Sequence, residues 1–154
     1  MNFDRLSKSV AAGLCGSVAH SALMALKARA HILPSFEPYE DLQTLMTAFL
    51  GTAVHPVVLW ALSYFNGAVV LGFLFGRLFG WLPGRSGAAK GTVFGLAMWA
   101  VMGVTFFPAI GKGLFASNTG LGYAPTLFTL AMVLTYSITL GVAYSVFNPK
   151  ADVR

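Results

Sequence analysis

Residues 126–147 read TLFTLAMVLTYSITLGVAYSVF, and this run decides the fold. It contains no Asp, Glu, Lys or Arg, and it is long enough to cross the bilayer core, because about 30 Å of hydrocarbon takes roughly 20 residues of α-helix. It lacks the alternation of apolar and polar residues that marks a strand. Since the bilayer core offers no water to unpaired amide groups, the run is predicted to cross a membrane as an α-helix.

Three further runs of the same kind precede it, at about residues 9–26, 57–76 and 91–110, and none of them carries an Asp, Glu, Lys or Arg. The sequence therefore predicts an all-α integral membrane protein, a four-helix bundle that forms a single domain over residues 1–154. An alternative for the first run is a cleaved signal peptide, because cations precede it and the sequence Ala28-Arg29-Ala30 resembles a cleavage site. Its length and the cations that follow it favour a retained span.

The composition agrees with a chain that lies in lipid. Hydrophobic residues make up 56% of the chain and charged residues 10%, where about 25% charged is usual for soluble domains. These values exclude a soluble globular enzyme and a disordered chain. The net charge of +5 does not indicate nucleic acid as a partner, because the basic residues neither cluster nor alternate with aromatic ones. The lipid bilayer is the expected partner.

The basic residues instead predict an orientation. Counted on alternate sides of the four runs, seven lie on one side and three on the other. The seven are Arg5, Lys8, Arg77, Arg85, Lys90, Lys150 and Arg154, and the three are Lys27, Arg29 and Lys112. Because Lys and Arg accumulate on the cytoplasmic side, both termini are predicted to be cytoplasmic.

The segment between the first two runs predicts a shorter, amphipathic helix over residues 38–50. Its apolar residues recur at helical spacing from Leu42 to Leu50, Pro38 suits a first helical turn, and Gly51 can end the helix. It is too short to span. We therefore expect a helix that lies along the outer interface or caps the bundle; a partly re-entrant extension of the second run is the alternative.

Small residues at helical spacing predict where the helices pack. Close approach of small residues holds helices together in lipid, where burial of apolar surface gives no advantage. The predicted packing positions are Gly16, Gly72, Gly76, Gly91 and Gly95. We expect them to serve packing within the chain, with self-association or another membrane subunit as alternatives.

Three polar residues are predicted to lie near the middle of the membrane: His20, Asn66 and Tyr136. His20 is about 18 Å along the helix from Lys8, and it shares a helical face with Gly16 and Ser17. Counting from the outer ends places the other two at similar depth. Two interpretations follow, a hydrogen-bonded helix contact with His20 bonded to Asn66 or Tyr136, and a polar core that binds a small ligand, quinone or proton.

Other sites are less well supported by the sequence. A haem held by two histidines would need His31 or His55 to reach the level of His20, and both lie near the predicted outer surface. A surface metal site from these two histidines and the carboxylates of residues 37–41 lacks the tight spacing of metal ligands. Catalytic motifs are missing, and Cys15, the single cysteine, lies in apolar surroundings. We therefore predict no enzyme activity, no catalytic residue, no metal site and no cofactor.

The runs Ser21–Lys27, Gly67–Gly72 and Lys90–Leu96 ahead of Trp99 resemble an uncharacterised family of small bacterial inner-membrane proteins with about four spans. The family has no assigned function, so the resemblance implies a fold and no activity. From its apolar surface and glycine-rich faces, we expect the protein to be a non-enzymatic accessory subunit or scaffold. The alternative is a small transporter or a ligand-binding bundle for a quinone, haem or proton, built on His20, Asn66 and Tyr136.

Overall fold

The computed structural model describes residues 3–149, so Lys150 and Arg154, which entered the orientation count, lie outside the described residues. The described chain is helical and contains no strand, which confirms the all-α prediction. The six α-helices are α1 (Phe3–Arg29), α2 (Pro38–Leu50), α3 (Pro56–Leu78), α4 (Gly87–Val104), α5 (Phe106–Ala109) and α6 (Ala124–Phe147). Four of the helical segments, α1, α3, α4 with α5, and α6, are long and apolar enough to cross a membrane.

The two ends of the bundle are called the base end and the α2 end. The base end contains the start of α1, the turn between α3 and α4, and the end of α6. The α2 end contains α2 and the loop that joins α5 to α6. The spans run alternately between these ends. The helices that pack closely along their length are α1 with α6, α4 with α6, and α1 with α3.

Glycines allow these close contacts. A Cβ atom at Gly16 would lie 2.8 Å from the Tyr136 ring, and one at Gly72 would lie 2.7 Å from the Ser9 carbonyl oxygen. A Cβ atom at the other predicted packing glycines would likewise meet Ser9 or Ser137; these glycines are Gly76, Gly91 and Gly95. All five lie against a neighbouring helix of the same chain, so helix backbones meet where the sequence places small residues. Gly80, which continues the same spacing, lies past the end of α3 with nothing within 4 Å.

The third span is not the single helix over residues 91–110 that the sequence predicts. α4 ends at Val104, Thr105 is distorted from ideal helical geometry with φ −114° and ψ −61°, and the short α5 continues to Ala109. Pro108 explains the break, because proline has no N–H to donate to the carbonyl four residues earlier, that of Val104, and its ring clashes with that carbonyl. The first span is longer than predicted, since α1 extends to Phe3 and Arg29.

Aromatic side chains fill the base end. Phe75 packs edge to face against Phe94 with ring centroids 5.2 Å apart, and against Tyr144 at 5.8 Å. The ammonium group of Lys90, which is buried, lies 4.0 Å from the ring centroid of Phe79. This contact is a cation–π interaction, which holds a charge near the end of a span. The cluster closes the base end of the bundle between α3 and α4.

A second, smaller core closes the α2 end. Phe36, Phe107 and Ala116 are buried together there. Ala116 belongs to a 3₁₀ turn, Leu114–Thr119, so the glycine-rich loop after α5 folds back over the helix ends. α2 matches its predicted bounds, and Gly51 ends it in the left-handed conformation at φ 68°.

Candidate ligand-binding cavity

A cavity of about 530 Å³ lies inside the bundle, between its middle and the α2 end. All four spans contribute to its wall, and α2 covers it at the α2 end through Pro38, Tyr39 and Leu42. Its volume is within the range of about 300–1,000 Å³ that is usual for small-molecule sites. The aromatic cluster at the base end closes its floor, where Phe94 and Leu71 line it.

The three polar residues predicted near the membrane midplane, His20, Asn66 and Tyr136, all line this cavity. Their hydrogen bonds differ from the predicted helix contact, because among the described residues no bond joins any two of them. The Tyr136 hydroxyl instead donates to the Gly67 carbonyl oxygen at 2.5 Å. The polar groups of His20 and Asn66 therefore face the cavity without a hydrogen bond to the described part of the chain.

A π-helical turn in α3 shapes this part of the wall. Residues Asn66–Leu71 are π-helical, and the Gly72 N–H bonds to the Gly67 carbonyl five residues earlier. The same carbonyl accepts the bond from the Tyr136 hydroxyl of α6. Such turns are often found at functional sites, where they redirect side chains and backbone groups. Asn66 begins the turn, is exposed, and belongs to the cavity wall.

Ser17 is a cavity residue that the sequence analysis did not select. Its side chain lines the cavity, the residue is 6% exposed, and its Oγ atom has no hydrogen-bond partner in the described structure. A buried hydroxyl without a partner has lost its hydrogen bonds to water, so it is costly unless something else occupies the site. The sequence could have indicated Ser17, because it precedes His20 by three residues and lies on the same helical face.

Tyrosine–serine pairs surround the cavity near α2. The hydroxyls of Tyr39 and Ser63 lie 2.8 Å apart, and those of Ser21 and Tyr64 lie at the same distance. Burial raises the pKa of Tyr39, and its hydrogen bond to Ser63 partly opposes that shift. Tyr39 also stacks on Trp60 with ring centroids 5.9 Å apart. The two contacts of Tyr39 hold α2 over the cavity, and the Ser21–Tyr64 pair joins α1 to α3.

Two ion pairs attach the α2 segment to the spans. The buried Lys27 ammonium donates to Glu37 Oε1 at 2.6 Å and to the Phe36 carbonyl oxygen at 2.9 Å. Lys112 Nζ lies 3.0 Å from Asp41 Oδ1. The two ion pairs thus attach α2, which covers the cavity, to the end of α1 and to the loop after α5.

The cavity wall carries no Asp, Glu, Lys or Arg side chain among the described residues. The two remaining histidines, His31 and His55, are exposed at the α2 end and are not part of the wall. The His55 imidazole instead caps α3 by accepting from the Val57 N–H at 3.3 Å. Within residues 3–149, no three His, Cys, Asp or Glu residues cluster as metal ligands. The arrangement is therefore a neutral pocket with a single imidazole.

Four apolar helices around a neutral cavity define a small multi-pass helical membrane protein. A family model, described as a family of unknown function (DUF6789), matches residues 3–154, and the chain belongs to that family. The resemblance to a family without an assigned function is thereby confirmed. No curated protein and no solved structure matches the chain.

Proposed function

We propose that the protein is a non-enzymatic membrane protein that binds a small molecule in the cavity between its four spans. The single observation that carries this proposal is a cavity of about 530 Å³ whose wall holds the side chains of His20 and Asn66, neither of them hydrogen-bonded within the described chain, beside the unpartnered Ser17 hydroxyl. Unbonded polar groups that converge in an apolar pocket are the usual features of a binding site. A ligand that bonds to them would offset their loss of hydration.

Binding is favoured over catalysis by the chemistry of the wall. General acid–base work requires a positioned pair of titratable groups, and nucleophilic catalysis requires a nucleophile next to a base. The wall offers His20 and three tyrosines as titratable groups, and no hydrogen bond within the described chain orients His20. These features support a role in holding or carrying a molecule.

The accessory-subunit interpretation has weaker support. That interpretation rests in part on glycine-rich helix faces that another subunit could cover. Gly16, Gly72, Gly91 and their neighbours are instead covered by helices of this chain. A cavity binder does not require another protein subunit, so we rank the binding role first and propose the lipid bilayer as the surrounding partner.

We further propose a bacterial inner membrane as the location, with the base end in the cytoplasm. Among the described residues the base end carries five cations and the α2 end three; the five are Arg5, Lys8, Arg77, Arg85 and Lys90, and the three are Lys27, Arg29 and Lys112. Cations concentrate on the cytoplasmic side of such proteins. A cysteine added after Arg154 in a Cys15→Ala background should react with an impermeant maleimide only after the cells are permeabilised; labelling of intact cells would reverse the orientation.

α2 is proposed to lie in the outer interface of that membrane. Its side away from the bundle carries Leu45, Phe49 and Leu50, and Phe49 is 87% exposed. In an aqueous loop this apolar group would face water, whereas in the interface it enters the region of the acyl chains.

The binding role is tested by filling the cavity. Val133 lines the cavity from α6, and Val142 lies on the same helix outside the wall. The protein purified from its host membranes in a mild detergent should carry a bound small molecule, visible by native mass spectrometry. Val133→Trp should lose this adduct and Val142→Trp should retain it. Equal adducts in both variants, or none in the unmodified protein, would contradict the proposal.

A further inference from the structure

The cavity wall is not equally closed on all sides. Its residues from α1 and α6, such as Ser17 and Tyr136, are buried or half-buried. On α3 and α4, by contrast, several lining residues are exposed. Leu62 is 47% exposed and Val101 is 51% exposed, and both belong to the wall.

The packing of the helices explains this difference. α1, α6 and α4 meet along glycine contacts, but α3 and α4 are not among the closely packed helix pairs of the described chain. They touch through large side chains at the base end, where Phe75 and Phe94 meet. Toward the α2 end, among the described residues, no aromatic contact joins the same two helices, and the exposed Leu62 and Val101 belong to the cavity wall there. At this level the outside of the bundle is the lipid phase, because both helices are membrane spans.

The chemistry inside the cavity restricts what can bind. The wall of the described chain has no charged side chain to pair with a phosphate or an ammonium group. Its polar groups are uncharged hydroxyls, the His20 imidazole and the Asn66 amide, all of them hydrogen-bond donors or acceptors. Aromatic rings of Tyr39, Phe94 and other residues line the rest, and such rings favour planar partners.

Resting on the proposed binding function, we infer that the cavity takes its ligand sideways from the bilayer, between α3 and α4. The ligand is a lipid-soluble molecule with an uncharged ring headgroup that carries carbonyl or hydroxyl oxygens, the chemistry of a quinone. The headgroup lies in the cavity at the level of Ser17, His20 and Asn66. Its tail leaves through the opening between Leu62 and Val101.

The test uses the full chain in nanodiscs with decylubiquinone, a benzoquinone with an alkyl tail, as the probe. Bound probe is measured by native mass spectrometry. Val101→Trp places bulk in the opening, and Val104→Trp is the matched control, since Val104 is 53% exposed on the same helix and does not line the cavity. Leu62→Trp closes the opening from α3 and serves as a second variant if the first fails to fold.

We expect Val101→Trp and Leu62→Trp to bind the probe at least about tenfold more weakly than Val104→Trp, a difference equivalent to about 1.4 kcal/mol. Undiminished binding in both opening variants would overturn the lateral route. Occupancy by phosphatidylglycerol in place of the quinone would overturn the uncharged headgroup but leave the binding function in place. Failure of decylubiquinone to bind the unmodified protein would overturn the quinone chemistry. If the protein also carries no cavity adduct from host membranes, the binding function itself is overturned.

Discussion

Replacement of Ser17 by alanine tests whether its hydroxyl binds a ligand or stabilises the fold. Ser17 Oγ is buried in the cavity wall and has no partner in the described structure. Ser17→Ala removes only the oxygen and keeps the Cβ atom, so no hydrogen bond within the described chain is lost. Ser145 offers a matched control, because its Oγ is also buried without a partner and it does not line the cavity.

The expected changes in stability and affinity follow from the free-energy cost of a buried polar group that has no hydrogen bond. Removing a buried hydroxyl without a partner relieves a desolvation penalty of about 1–3 kcal/mol, so neither Ser17→Ala nor Ser145→Ala should lower the unfolding temperature of the empty protein. A hydrogen bond from Ser17 to a ligand contributes about 0.5–1.5 kcal/mol. Its loss should therefore raise the Kd of decylubiquinone roughly 2- to 12-fold in Ser17→Ala and leave it unchanged in Ser145→Ala.

The Kd can be read from tryptophan quenching by the quinone. Trp99 suits this assay because its indole N–H lies 3.4 Å from Thr129 Oγ1, and Thr129 lines the cavity. Unfolding temperatures of both variants are recorded in the same detergent. A clear fall in the unfolding temperature of Ser17→Ala would show that the hydroxyl has a structural partner. An equal loss of affinity in Ser145→Ala would show that the effect does not arise in the cavity, and either result would refute the reasoning.

Three further changes test the framework of the bundle. Lys27→Met removes the buried ammonium group that donates to a carboxylate and a carbonyl at the start of α2. Thermal unfolding should show a loss of about 1–3 kcal/mol in stability. The control Lys8→Met, which breaks an exposed ion pair, should lose at most about 0.5 kcal/mol. Gly95→Leu should destabilise the protein by at least about 1–3 kcal/mol and Gly80→Leu should have little effect, because only Gly95 is closed by a neighbouring helix. Pro108→Ala should join α4 to α5, seen as slow hydrogen exchange of the new amide, and fast exchange there would assign the break to another cause.

The four spans could be predicted because lipid imposes one simple requirement on the sequence. Each crossing needs a run of uncharged, mainly apolar residues, and each run is visible without knowledge of its neighbours. Depth along such a run can also be counted at about 1.5 Å per residue. That count placed His20, Asn66 and Tyr136 at one level, and the structure places all three in one cavity wall.

The details of the cavity could not be predicted in the same way. The π turn at Asn66–Leu71 packs against α1 and accepts the hydrogen bond from Tyr136 of α6, contacts that are not visible within the run itself. The cover formed by α2 depends on the stacking of Tyr39 on Trp60, two residues on separate helices. The break after Val104 is different, because Pro108 stands four residues later in the sequence and could have indicated it, although the sequence analysis treated residues 91–110 as one helix.

The distribution of small residues explains why the bundle has a cavity at all. Helices that meet at glycines bring their backbones close together, and Gly16 and Gly91 do this for α6 against α1 and α4. α3 follows α1 through Gly72 and Gly76, near the base end. No such contact draws α3 toward α4 in the described chain, and Phe75 and Phe94 hold them at the distance of two aromatic rings. The opposite end of that interface therefore stays open, and its polar groups face the space that results.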